Sequence, residues 1–186
     1  MIEMIEIGAT IFGLIQGVLL LKNSRYNWIA YICQMLLMIV FSYSVALYGD
    51  MINSSVYIVV GIVGWILWND RKELKITSCS YKERIIYIFG ILVGTVLFGL
   101  YLKSINDSLP FIDAFTTVSG IVATYYTLRR RIDTWLIWFI NDIFYIIAYA
   151  LLPDQAIYLL TLNLVWTFMA VASYINWKKI MEKEVL

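Results

Sequence analysis

The sequence predicts an all-α integral membrane protein: seven transmembrane helices, arranged as two parallel three-helix bundles joined by a connector helix. Three observations predict it, namely an apolar composition, seven runs of spanning length, and a repeat at a fixed offset. The 186 residues are 62% hydrophobic and 16% aromatic, with a mean hydropathy of +0.80. Only 15% are charged, against roughly 25% in soluble domains. Most of those charges lie between the apolar runs, so little of the chain is left for a soluble domain.

The apolar runs fall at about 5–21, 27–48, 52–69, 85–102, 110–128, 132–152 and 156–177. Each suits a helix crossing a hydrocarbon core about 30 Å thick. The first run is expected to be retained as a helix. Glu3 and Glu6 are acidic where a signal peptide is basic, and no small-residue cleavage site follows. The third run is short and carries Gly61 and Gly64.

Basic residues set the orientation. Lys22 and Arg25 follow the first run, and Arg71, Lys72, Lys75, Lys82 and Arg84 follow the third. Arg129, Arg130 and Arg131 follow the fifth, and Lys178, Lys179 and Lys183 the seventh. Thirteen of the fourteen Lys and Arg therefore lie on alternate connections, and only Lys103 lies opposite. The pattern predicts an N-terminus outside and a C-terminus in the cytoplasm. The net charge of +1 says nothing about nucleic acid, because these cations are topological signals.

A shift of 107 residues brings Glu6 onto Asp113, Thr10 onto Thr117, Gly13 onto Gly120 and Trp28 onto Trp135. With two more residues inserted, Gly64 and Trp65 meet Ser173 and Tyr174, and Trp68 meets Trp177. Each half thus reads as three helices, with the fourth unmatched. An odd connector leaves the first and fifth helices running the same way, which makes the repeats parallel. The chain divides into a first bundle (1–70), a cytoplasmic loop and connector helix (71–108), and a second bundle with a short cytoplasmic tail (109–186). Sites in such repeat transporters lie near the midplane, between the repeats.

Candidate site residues follow from polarity inside the runs. Asp142 falls near the middle of the sixth, where a charge costs about 2.5–3.5 kcal/mol and should face a cavity or a partner. At about 100° per residue, Trp135, Trp138, Asp142 and Tyr145 share one stripe with Tyr149, and Asn141 lies at its edge. Asn163, Trp166 and Thr167 form a comparable stripe on the seventh helix with Tyr174. Gln34 occupies the repeat position of Asn141. Aromatic faces beside a buried carboxylate suit an organic cation or a ring bearing donors.

Blander readings stand beside these. Trp135 serves equally well as an interfacial belt residue, and Trp68 and Trp177 read as belt residues before basic loops. Gln34, Asn163 and Thr167 also fit as hydrogen-bonding glue between helices. Glu6 and Asp113 lie at outer helix ends, where a carboxylate caps or gates. The arginines at 129–131 fit topology better than phosphate binding.

Enzymatic function is disfavoured. The chain has no His, which removes most zinc sites and His-dependent nucleophiles. No paired catalytic carboxylates, metal-ligand cluster or phosphate-binding glycine loop is found, and no cofactor is implied. Cys33 and Cys79 suggest no disulfide framework. A membrane scaffold that transports nothing is the contrasting reading.

Several motifs together resemble the PnuC family of bacterial vitamin transporters. They are residues 113–118 (DAFTTV), Arg129 to Arg131, and the Trp135/Trp138 pair. The first half adds Glu6, Gly13, Trp28, Leu47, Tyr48 and the Gly64, Trp65, Trp68 ending, and Tyr174 to Trp177 closes the seventh run. The resemblance implies two three-helix bundles with a connector, similar to full-length SWEET transporters. It implies facilitated diffusion of a nucleoside-like vitamin across the bacterial inner membrane, nicotinamide riboside first. Thiamine, riboflavin and deoxynucleosides are the alternatives, with a cytoplasmic kinase trapping the substrate. Proton coupling through Asp142 is a further alternative; a homo-oligomer is compatible with the sequence. The family's WxxW pair carries over to Trp135 and Trp138. Its asparagine one turn later is replaced here by Asp142, and a family glutamine near Thr124 is absent.

Overall fold

The computed structural model describes residues 2–21, 24–68, 75–152 and 156–185. Lys22, Arg71 and Lys72 of the charge pattern lie outside the described residues. Within them are seven helices and no strand: α1 (Ile2–Leu21), α2 (Asn27–Ser44), α3 (Tyr48–Leu67), α4 (Tyr81–Ser104), α5 (Pro110–Leu128), α6 (Thr134–Leu151) and α7 (Ile157–Val185). Six of them are long and apolar enough to cross a membrane. The exception is α5, of similar length at 19 residues, whose face of Thr, Ser and Asp side chains is buried.

Local chemistry sets the helix ends. Ser80 and Glu83 form a reciprocal capping box at the start of α4, and Pro110 opens α5. The ends of α2, α4 and α5 share one turn. Ala46, Asn106 and Arg130 have φ of 55°, 58° and 50°. The amide after each reaches back five residues: Leu47 to Ser42, Asp107 to Leu102, and Arg131 to Tyr126.

Two boundaries differ from those the sequence predicts. The second and third runs were expected to part at 48–52, but α2 stops at Ser44 and α3 begins at Tyr48. No Gly or Pro marks the turn, so the apolar run reads straight through it. The last helix continues from 177 to Val185 as a charged extension.

The helices pack in a ring. α1 packs on α2 and α2 on α3; α5 packs on α6 and α6 on α7. Contacts of α3 with α5 and of α1 with α7 close the circle. α4 stands outside it, packed on α5 and otherwise largely exposed. At one end of the ring, the segment before α4 docks on the α5–α6 turn. Thr77 pairs with Arg131, Arg84 meets Asp133 at 2.7 Å, and the Asp133 carboxylate also accepts from the Cys79 amide at 2.7 Å.

At the opposite end, carboxylates cap helices. Glu6 Oε1 accepts from the amides of Tyr158 (2.7 Å) and Leu159 (3.1 Å) at the start of α7. Asp113 Oδ2 accepts from Gly49 at the start of α3 (2.8 Å), and Asp107 Oδ2 from Tyr48 (2.9 Å). The capping expected of Glu6 and Asp113 is there, but each acts on a helix other than its own.

Candidate functional site

The ring surrounds a cavity that is open at its mouth, and all six ring helices line it while α4 does not. α2 and α6 supply matching faces. Trp28, Tyr31, Met35 and Met38 line it from α2, and Trp135, Trp138, Asp142 and Tyr145 line it 107 positions later from α6. The walls are thus equivalent in position and unlike in chemistry. One presents two thioethers where the other presents a carboxylate and a phenol.

Trp138 is fixed by a chain of hydroxyls. Its indole N–H donates to Thr127 Oγ1 at 3.2 Å, and that oxygen lies 2.8 Å from Thr134 Oγ1. The Ala123 carbonyl lies 3.0 Å from the Thr127 hydroxyl and 2.7 Å from that of Thr134, so one of them donates to it and the other to its neighbouring hydroxyl. A ring pinned at its nitrogen offers its face with little loss of freedom on binding. Trp135 stands edge-on to Trp177 (5.2 Å, 89°), and Trp28 edge-on to Trp68 (5.4 Å, 89°). Repeat-related tryptophans therefore form the same pair twice. The belt expected of Trp68 does not describe its surroundings, since it is 3% exposed and packs on a cavity wall. Trp177 likewise backs Trp135. Gly64 lets Trp28 lie flat on α3, where a β-carbon would overlap the ring.

Asp142 is 6% exposed and lines the cavity, and among the described residues it has no hydrogen-bond or ion-pair partner. A buried carboxyl group is costly to leave unpaired. Among the described residues, the cavity lining contains no Lys or Arg. Its second carboxyl, Asp50, accepts from Ser42 Oγ (2.5 Å) and from Tyr145 OH (2.8 Å).

Gln34, Asn163 and Trp166 also line the cavity. Asn141 and Thr167 do not. Asn141 donates to the Thr116 carbonyl and to Ser119 Oγ, both at 2.8 Å, which ties α6 to α5. The Thr167 hydroxyl bonds back to the Asn163 carbonyl at 2.8 Å.

An aromatic pocket surrounded by membrane helices has the form of a transport site, and sequence comparison decides its class. The profile of the family described as "Nicotinamide mononucleotide transporter" matches residues 3–179. The chain belongs to this family. It is thus a membrane transporter and not an enzyme or a passive scaffold. Among its relatives is the nicotinamide riboside transporter PnuC of Neisseria mucosa, 25% identical over 94% of this chain and 72% of that one. The riboflavin/roseoflavin transporter RibM of Streptomyces davaonensis is 27% identical over 72% of this chain and 66% of its own. PnuC of Escherichia coli is 21% identical over 93% and 84%. A crystal structure of the vitamin B3 transporter PnuC matches the fold with a TM-score of 0.84, at 23% identity, over 96% of this chain and 82% of that one.

Asp50, Ser54, Tyr57, Tyr31 and Asn27 also line the cavity, although no pattern in the sequence singles them out as site residues on its face. Tyr31 and Trp138 are related by the 107-residue shift, so the repeat contained that signal. Asp50 was hidden by the misplaced start of α3.

Proposed function

We propose that this transporter carries a cationic, nucleoside-like vitamin, nicotinamide riboside first, by facilitated diffusion through the central cavity. Asp142 carries the proposal, as a carboxyl group with no hydrogen-bond or ion-pair partner, in an aromatic cavity with no basic residue in its lining, both among the described residues. A pyridinium stacked on Trp138 or Trp135 gains from the ring faces, and Asp142 supplies the counter-charge. Names of relatives support nicotinamide riboside, while the riboflavin carrier among them shows that the family's cargo varies. Thiamine is the second reading, favoured by the carboxylate at 142, because its aminopyrimidine donates to carboxylates as well as carrying a cation.

The packing order supports two parallel three-helix units with α4 as connector, since exchanging α1–α3 with α5–α7 leaves the ring order unchanged. The alternating basic residues support an outer N-terminus and a cytoplasmic C-terminus in a bacterial inner membrane. A cytoplasmic kinase that phosphorylates the arriving vitamin would make uptake one-way, because the cavity disfavours phosphate.

Two measurements test the reading. Thermal stabilisation of the purified transporter across nicotinamide riboside, thiamine, riboflavin and deoxynucleosides identifies the ligand. Uptake into proteoliposomes is then compared with a Trp138→Ala, Asp142→Ala double variant. Equal uptake by the two proteins overturns the site.

A further inference from the structure

Asp50 lies in the first turn of α3, 3% exposed, and its two oxygens face different helices. Oδ2 accepts from Ser42 Oγ near the end of α2 at 2.5 Å. Oδ1 accepts from Tyr145 OH on α6 at 2.8 Å. The Tyr145 oxygen in turn accepts from Asn53 Nδ2, one turn along α3, at 3.4 Å. A phenol has one proton to give, and here α3 takes it and also occupies a lone pair. What Tyr145 can offer the cavity is its ring. That ring is stacked with Tyr149 (5.7 Å, 19°), so the two form a continuous aromatic surface one turn beyond Asp142.

α3 and α6 are not neighbours in the ring, because α5 stands between them. The Asp50–Tyr145 bond therefore reaches past α5 and joins the first three helices to the last three. We infer that Asp50 is a positioning residue for substrate recognition. It turns the face of Tyr145 toward the ligand and holds α3 and α6 together around it. The inference rests on the reading of the cavity as the site of a flat cationic vitamin. It assigns Tyr145 a stacking role and Asp50 none in direct contact.

The test is counterflow in proteoliposomes, with nicotinamide riboside and thiamine as probes, separating KM from maximal rate. Tyr145→Phe keeps the ring and removes the bond; Asp50→Asn weakens the acceptor; Tyr145→Ala removes the ring. Breaking a hydrogen bond to a charged group, worth about 1.5 kcal/mol, is expected to raise KM about tenfold in each of the first two variants. Maximal rate should stay within about twofold. The Asp50→Asn, Tyr145→Phe double variant should be no worse than the worse single one, because both cut the same link. Tyr145→Ala should lose more than Tyr145→Phe.

An unchanged KM in Tyr145→Phe overturns the inference, as do additive losses in the double variant. A fall in maximal rate at constant KM also overturns it, since that marks a merely structural role. Tyr145→Phe removes a single oxygen and decides the matter even if Asp50→Asn does not fold. Wild type inert toward both probes overturns the substrate reading and this inference together. Active wild type with unaffected variants overturns this inference alone.

Discussion

Glu6 and Asp113, 107 positions apart, perform the same task at equivalent places. Each carboxylate closes the first turn of a helix to which its own is joined only through the ring: Glu6 on α1 caps α7, and Asp113 on α5 caps α3. The recipient amides are also equivalent, since Gly49 and Tyr158 stand 109 apart. Each acid interacts favourably with the positive end of a helix dipole and satisfies amides that have no partner within their helix. Opening the ring at this end has to break both caps.

Removing either cap by Glu6→Ala or Asp113→Ala is expected to cost about 1–2 kcal/mol of stability, by similar amounts. Thermal unfolding in detergent checks this. A loss confined to one variant would show that the two caps are unequal.

The indole of Trp138 is held by Thr127. Trp138→Phe and Thr127→Ala should each weaken ligand binding about fivefold, the equivalent of about 1 kcal/mol for a neutral hydrogen bond. Combined, they should cost little more than one alone, and titration calorimetry of the three variants measures the coupling.

Glycine substitutions should separate wall from surface. A β-carbon at Gly64 overlaps the Trp28 ring, whereas one at Gly90 meets nothing within 4 Å. Gly64→Ala should therefore lose about 1–3 kcal/mol by overpacking. Gly90→Ala on exposed α4 should match or exceed wild type, by about 0.5–1 kcal/mol of helix propensity. Comparative melting curves decide.

Nicotinamide mononucleotide should be a poor ligand. Its phosphate would enter a cavity whose described lining has two carboxyl groups and no cation. About a hundredfold excess should fail to displace nicotinamide riboside, a discrimination equivalent to about 2.7 kcal/mol. Equal competition would assign a different electrostatic character to the site.

Burial raises the Cys79 thiol from its ordinary value of 9.0 to about 11, and the negative charges of Asp133 and Glu83 push the same way. The folded chain thus holds this proton more tightly than the unfolded one. The associated stability is complete below about pH 9 and falls as pH rises from 9 toward 11. Alkylation of Cys79 should accordingly be slow at neutral pH and accelerate across that interval. Fast labelling at pH 7 would contradict the packing of this segment on Asp133.

The seven helices were legible because a bilayer requires long apolar runs, and because Lys and Arg cluster on alternate connections between them. Trp135, Trp138 and Asp142 were legible from periodicity alone. Asp50 was not, because the turn at Ala46 contains no Gly or Pro and the acid read as part of a loop. Asn141 and Thr167 lie beside the right stripes, but what their side chains bond depends on the α5 backbone and on one turn of α7. A periodic pattern shows which way a residue faces and does not reveal a competing acceptor already within reach. Trp68 failed for a similar reason: Gly64 makes room for Trp28, and Trp28 then covers Trp68.

The polar face of α5 has a consequence for how the protein is made. Its buried Thr, Ser and Asp side chains leave it, among the described helices, the one below the apolarity of a span, yet it sits between α4 and α6. α4, the most apolar candidate span, packs on α5 and on little else. During synthesis α4 emerges immediately before α5, so the pair can enter the bilayer as a hairpin in which the greasy arm carries the polar one. The helix that contributes nothing to the cavity would then be an insertion partner for a helix that does.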